Sequence, residues 1–149
     1  MDNLLVAVSN VTVLWPLLTS WYKRDYLTFG SLLFAGASSF ISHLFESHKH
    51  GMYGFGCPHH ISYLLNRMDV VGVALTTSRL LYLFGNKYGL DFSTYPWTLI
   101  FKFGLSFCLN AISEWDKTPS TKRIFLLSHI PWHLIIFYLI NELLHGLYV

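Results

Sequence analysis

Hydrophobic residues run along this chain in five long segments, separated by short polar stretches. Each segment approaches or exceeds the roughly 20 apolar residues that an α-helix needs to cross the hydrocarbon of a bilayer. Glycine, proline and charged residues mark every break between segments, as is typical of turns between helices. The segments cover residues 4–22, 27–46, 60–85, 95–114 and 123–148. The pattern therefore predicts an all-α integral membrane protein, a bundle of about five transmembrane helices.

The composition strengthens the membrane prediction. Hydrophobic residues make up 53% of the chain and charged residues only 12%, whereas soluble domains carry about 25% charged residues. Aromatic residues make up 17%, and many Tyr and Trp lie near segment ends, where they favour the membrane interface. At 149 residues the chain has room for a single transmembrane helical domain, residues 1–149. We expect a multi-pass membrane protein, with neither the membrane nor the oligomeric state fixed by the sequence.

The charge balance argues against one class of partner. The formal net charge is only +2, and no basic cluster is large enough to indicate binding to nucleic acid. The bilayer itself and a membrane lipid, as substrate or ligand, are the expected partners.

Five polar residues interrupt the apolar segments: Ser39, His43, Asp69, His129 and His133. Such groups are costly in lipid, so an ionisable residue inside a membrane segment is a candidate for a functional site. Ser39 and His43 are four residues apart, as are His129 and His133, and this spacing puts each pair on one face of a helix.

The order of the segments predicts that these residues meet. With five crossings, the second helix ends on the face of the membrane where the third and fifth helices begin. His43 lies about one turn before the end of the second helix, whereas Asp69, His129 and His133 lie in the first halves of theirs. All four residues are therefore expected in the same leaflet at similar depth.

Three imidazoles and a carboxylate can form a zinc site. With His43, His129 and His133 as ligands, one position of a tetrahedral zinc stays open for water, whose pKa then falls to roughly 7. Asp69 can orient this water or act as general base, and Ser39 can donate a hydrogen bond to a developing oxyanion. Two alternatives stay open, namely interhelical hydrogen bonding by the histidines and bis-histidine haem ligation.

Two further groups of polar residues have plainer interpretations. Glu142 and His145 are three residues apart on the fifth segment and are expected to pair with each other. The loop after the second segment is rich in histidine and is interpreted as solvated, with loose metal binding and contact with lipid headgroups as the alternatives. Its polar residues are His48, Lys49, His50, His59 and His60.

The ordered set of site residues resembles the CREST superfamily. This group includes alkaline ceramidases, progestin and adipoQ receptors, a lipid-remodelling hydrolase of the GPI-anchor pathway and the myomaker-like proteins. Its shared pattern is a serine and a histidine four residues apart on the second helix, an aspartate on the third, and His-x-x-x-His on the last. Here these positions are Ser39, His43, Asp69, His129 and His133. The residues around Ser39 and His133 look closest to the myomaker-like branch.

The resemblance implies a zinc ion held by the three histidines, with Ser39 and Asp69 next to it. Hydrolytic members cleave amide or ester bonds of membrane lipids such as ceramide, so a ceramidase-like lipid hydrolase is one expectation. The alternative is a non-catalytic, myomaker-like membrane protein with a structural zinc site. Members of the superfamily typically have seven helices, and the five predicted here imply a shortened bundle that lacks part of the wall around the site.

Overall fold

The structure, a computed structural model, describes residues 1–149 as five long helices without any β-strand. The helices are α1 (Asp2–Tyr22), α2 (Tyr26–Leu44), α3 (His59–Tyr88), α4 (Trp97–Glu114) and α5 (Lys122–Leu147). The predicted all-α architecture is confirmed. Four of the helices, all except α4, are long and apolar enough to cross a membrane. At 18 residues, α4 is slightly shorter than the roughly 20 that a crossing usually requires.

Helix α1 changes pitch in its middle. It is α-helical over Asp2–Ser9, tightens to a 3-10 turn over Asn10–Val13 and returns to α-helix over Leu14–Tyr22. The turn contains an asparagine and three β-branched residues, which all have lower helix propensity than straight-chain residues. Ser9 is therefore the last α-helical residue before the turn, a position that matters for the candidate site.

Helices α2 and α5 hold the bundle together. Helix α1 packs against both of them, α3 packs mainly against α2, and α4 packs against α5. The largest apolar core lies along α5, where Phe137, Ile140 and Leu144 meet Leu17 of α1 and Leu32 of α2. Helices α3 and α4 follow each other in the chain but do not pack against each other along their lengths. One side of the bundle is therefore open between α3 and α4.

Charged pairs tie the helices together at the end of the bundle away from His43. Arg79 of α3 donates two hydrogen bonds of 2.9 Å to the carboxylate of Asp25, which also accepts one from the Tyr148 hydroxyl. Glu142 of α5 binds Lys102 of α4 at 3.0 Å. The expected pairing of Glu142 with His145 is therefore wrong, because Lys102 offers a full positive charge from the neighbouring helix.

Helices α2 and α3 approach closely at Gly72. A Cβ atom on this residue would lie 2.7 Å from the Cα of Ala35 and 3.0 Å from the Oγ of Ser38. Small residues on both sides permit this backbone contact, as is common where membrane helices pack. Asp69 is one turn before Gly72, so the contact also fixes how near Asp69 comes to α2.

We predict that Gly72→Ala destabilises the protein by about 1–3 kcal/mol, because the new methyl group overlaps the backbone of α2. The matched control is Gly85→Ala in the same helix, where nothing lies within 4 Å of an added Cβ. Alanine is the better helix former, so this control should leave stability unchanged or raise it. Thermal unfolding in detergent micelles measures both, and equal melting temperatures for the two variants would contradict the close contact.

Candidate metal centre

Three buried imidazoles converge between α2 and α5. His43 comes from the last turn of α2, and His129 and His133 lie one turn apart on one face of α5. One ring nitrogen from each lies within 4.8 Å of the others. The predicted convergence of these three residues is confirmed, while metal binding itself stays a prediction.

The geometry of the nitrogens fits a single small cation. Two nitrogens bound to one tetrahedral zinc lie about 3.3 Å apart, given bonds of 2.0–2.1 Å. The Nε2 atoms of His43 and His129 are already separated by only 3.2 Å. The widest nitrogen–nitrogen distance among the three histidines, 4.8 Å at most, would shorten by about 1.5 Å when zinc binds. The Nε2 of His133 is buried and has no hydrogen-bond partner, which is the state expected of a nitrogen reserved for a metal.

Asp69 and Ser39 lie beside the imidazoles. An Asp69 carboxylate oxygen, Oδ2, is 4.0 Å from the Nε2 of His43, and both Asp69 and Ser39 line the same cavity as His133. Ser39 is one turn before His43 on α2, so it shares the face that the imidazole uses. The structure thus brings all five predicted site residues to one place.

Each histidine is also held at its outer ring nitrogen, by residues that the sequence analysis missed. The Nδ1 atoms of His43, His133 and His129 lie 3.2, 2.7 and 2.9 Å from an oxygen of another side chain. These oxygens belong to Glu46, Ser9 and Ser113, respectively. Of these three partners, only Glu46 could have been predicted from the sequence, because it lies three residues after His43. A serine in an apolar helix is too common to attract notice.

The loop after α2 folds inwards over this end of the bundle. Lys49 is buried and reaches Glu46 at 3.4 Å and Glu114 at 3.1 Å, while the His50 ring stacks on Phe125 at 4.3 Å. The expectation of a solvated loop is therefore wrong for Lys49 and His50, because nearby carboxylates and an aromatic ring bury them. His59 and His60 are exposed as expected.

Glu46 is a permanent acceptor in this arrangement. The Nζ atom of Lys49 lies 3.4 Å from Oε1 of Glu46, and the Nδ1 atom of His43 lies 3.2 Å from Oε2. A carboxylate held in an ion pair with an ammonium group can only accept hydrogen bonds.

A cavity of about 370 Å³ begins at the end of the bundle that contains the three histidines. Its walls include Ser39, Asp69 and His133, and hydrophobic residues supply 14 of its 21 lining positions. On α3 the lining extends from Asp69 to Phe84, which is about 22 Å of helix. The volume and the apolar walls are typical of a small-molecule pocket.

Comparison with known proteins places the chain in a family without assigning it an activity. It is 41% identical over 141 residues to "Uncharacterized protein L282" of Acanthamoeba polyphaga mimivirus, with 92% of each chain covered. The chain belongs to the same family as this viral protein. No family model and no solved structure matches the chain.

We predict that protein purified in detergent binds about one zinc ion per chain, since one set of three imidazoles converges. His133→Ala should abolish this binding, because two imidazoles cannot retain the ion. His145→Ala is the matched control: the residue lies on the same helix outside the cluster and should keep the metal. Metal analysis by mass spectrometry decides the matter, and well-folded wild-type protein that takes up no zinc would contradict the site.

Proposed function

We propose that this chain is an integral-membrane, zinc-dependent hydrolase of the CREST type that cleaves an amide or ester bond of a membrane lipid. The observation that carries the proposal is the three-imidazole cluster, with a carboxylate beside it and an apolar cavity leading away from it. The proposal has three parts, namely insertion into a membrane, binding of a catalytic zinc ion and cleavage of a lipid, and each part has its own support.

Integration into a membrane is supported by the surface of the bundle. Four helices are long and apolar enough to cross, and large hydrophobic side chains are exposed on every helix. Water would disfavour so large an apolar surface, whereas lipid tails accept it. With α4 as a further crossing beside α5, the cluster lies below the membrane face on which α2 ends.

The ligand set favours a catalytic zinc over a structural one. Structural zinc sites are closed by four protein ligands, whereas catalytic sites have three and leave one position open. The cluster contains three histidines, and the carboxylate of Asp69 lies 4.0 Å from the Nε2 of His43. At this distance Asp69 is near enough to act on a water molecule or a substrate bound at the open position of the zinc.

The roles of the side chains follow from their places around the cluster. When bound, zinc supplies Lewis acidity that makes water a nucleophile at neutral pH. Asp69 holds the attacking water, accepts its proton at a carboxylate oxygen and passes that proton to the amine or alcohol that leaves as the amide or ester bond breaks. Ser39, which lines the same cavity, donates a hydrogen bond from its hydroxyl group to the carbonyl oxygen of the substrate as negative charge develops there.

The cavity indicates what kind of molecule is cleaved. It is lined mainly by hydrophobic residues and follows α3 for about 22 Å, which matches the shape and polarity of an acyl chain. An acyl chain in this cavity would bring its carbonyl group to Asp69, Ser39 and His133, where the lining is polar.

One observation favours a second candidate, a non-catalytic protein with a structural zinc. The rings of the cluster join α2 to α5, and their hydrogen-bond partners Ser9 and Ser113 add α1 and α4. A metal at this point would stabilise the whole bundle, because its binding energy contributes directly to folding. Activity separates the two candidates.

We predict that Asp69→Asn lowers turnover by about 10²- to 10⁴-fold, the usual contribution of a general base, while leaving zinc content unchanged. Ser39→Ala should also slow turnover and keep the metal. Ser31→Ala is the control, because its hydroxyl binds Thr28 within α2 and does not line the cavity. The assay follows fatty acid released from N-acyl and O-acyl lipids in mixed micelles. Zinc-loaded wild-type protein that releases no product, but melts at lower temperature after chelation, supports the structural alternative against hydrolysis.

A further inference from the structure

The hydrogen bonds around the three histidines determine where each ring carries its proton. At the outer nitrogen, Nδ1, each ring meets a side-chain oxygen from a different part of the chain: Glu46 after α2, Ser9 on α1 and Ser113 on α4. A neutral imidazole has one N–H donor and one bare acceptor nitrogen. The chemistry of the three oxygens therefore decides which ring nitrogen is left bare.

Both serines have already used their only proton. The Ser9 hydroxyl donates to the backbone carbonyl of Val6 at 2.6 Å, and the Ser113 hydroxyl donates to that of Asn110 at 2.7 Å. A carbonyl can only accept, and a hydroxyl has a single proton to give. Each serine oxygen must therefore accept a hydrogen bond from its histidine, so the proton of the imidazole lies on Nδ1.

Glu46 imposes the same arrangement on His43. A carboxylate in an ion pair with an ammonium group can only accept hydrogen bonds, so the 3.2 Å contact with Nδ1 of His43 requires the N–H of the ring. The charge of Lys49, 3.4 Å from the other oxygen of Glu46, keeps this carboxylate paired although it is buried. All three imidazoles consequently have the same tautomer.

This shared tautomer determines the state of the inner ring nitrogens, Nε2. With every proton on Nδ1, the three Nε2 atoms point bare lone pairs at the centre of the cluster. The Nε2 atoms of His43 and His129 are 3.2 Å apart, yet two acceptors cannot hydrogen-bond to each other. A cation between them relieves this repulsion, so the hydrogen bonds outside the cluster prepare its interior for a metal.

We infer that Ser9, Ser113 and Glu46 are positioning residues that hold His133, His129 and His43 in the metal-binding tautomer and thereby set the affinity of the centre for zinc. The inference rests on the metal site of the proposed function but not on its hydrolytic activity. It makes α1 and α4 parts of the metal centre, although neither helix supplies a ligand.

We predict that Ser9→Ala and Ser113→Ala each weaken zinc binding by about 10- to 100-fold, the usual effect of removing a hydrogen-bond partner of a ligating histidine. Matched controls come from the same helices: Ser20→Ala on α1 and Ser106→Ala on α4. Both serines are buried and neither forms a hydrogen bond with a histidine, so these variants should bind zinc as the wild type does. Competition with a chromophoric chelator measures the affinities in detergent.

A second measurement and a further variant test the same inference independently of the zinc affinities. Cobalt substituted for zinc reports the ligand field, and its visible spectrum should change in Ser9→Ala and Ser113→Ala but not in the controls. Glu46→Gln, which keeps the shape of the side chain, provides an independent variant should a serine variant fail to fold. Affinities and spectra of the serine variants equal to those of their controls would overturn the inference.

The outcomes also separate this inference from the proposed activity. Zinc affinity is measured without substrate, so loss of affinity in Ser9→Ala supports the inference even when no lipid is hydrolysed. Unchanged affinity in an active enzyme overturns the inference and leaves the hydrolase standing. Wild-type protein that binds no zinc overturns both.

Discussion

The arrangement of this bundle depends on the requirement that buried polar atoms have partners. His43, His129 and His133 are almost fully buried, and each must satisfy two ring nitrogens. The outer nitrogens are satisfied by oxygens from three separate segments, which fixes α1, α4 and the loop after α2 around the same point. At the inner nitrogens no other side chain forms a hydrogen bond, and a shared cation would meet their requirement.

The apolar packing and the polar centre use the helices differently. Along α5, residues such as Phe137 and Leu144 form a core with α1 and α2, which holds the two histidines of α5 against His43. Helix α3 contributes little to that core and is positioned instead by the backbone contact at Gly72. It brings Asp69 to the edge of the cluster, with a carboxylate oxygen 4.0 Å from the Nε2 of His43.

The sequence predicted what hydrophobicity and spacing can encode. Long apolar segments located the five helices, and the four-residue spacing of His129 and His133, with the direction of each crossing, located the cluster. The partners of the histidines were not predictable in this way. Ser9 and Ser113 are ordinary residues in an apolar helix, and their roles arise only from packing across 124 and 16 residues. The burial of Lys49 likewise depends on Glu114, a residue 65 positions away.

The distance along the chain between the histidines has a consequence for biosynthesis. His43 lies on α2, and the ring nearest to it, that of His129, lies 86 residues later in the chain on α5. Chains are synthesised from the N-terminus at about 5–20 residues per second, so several seconds pass between the synthesis of His43 and that of His129. An ion that needs all three rings could be captured only after the ribosome has synthesised α5. Assembly of the three-histidine cluster therefore has to follow the synthesis of that helix.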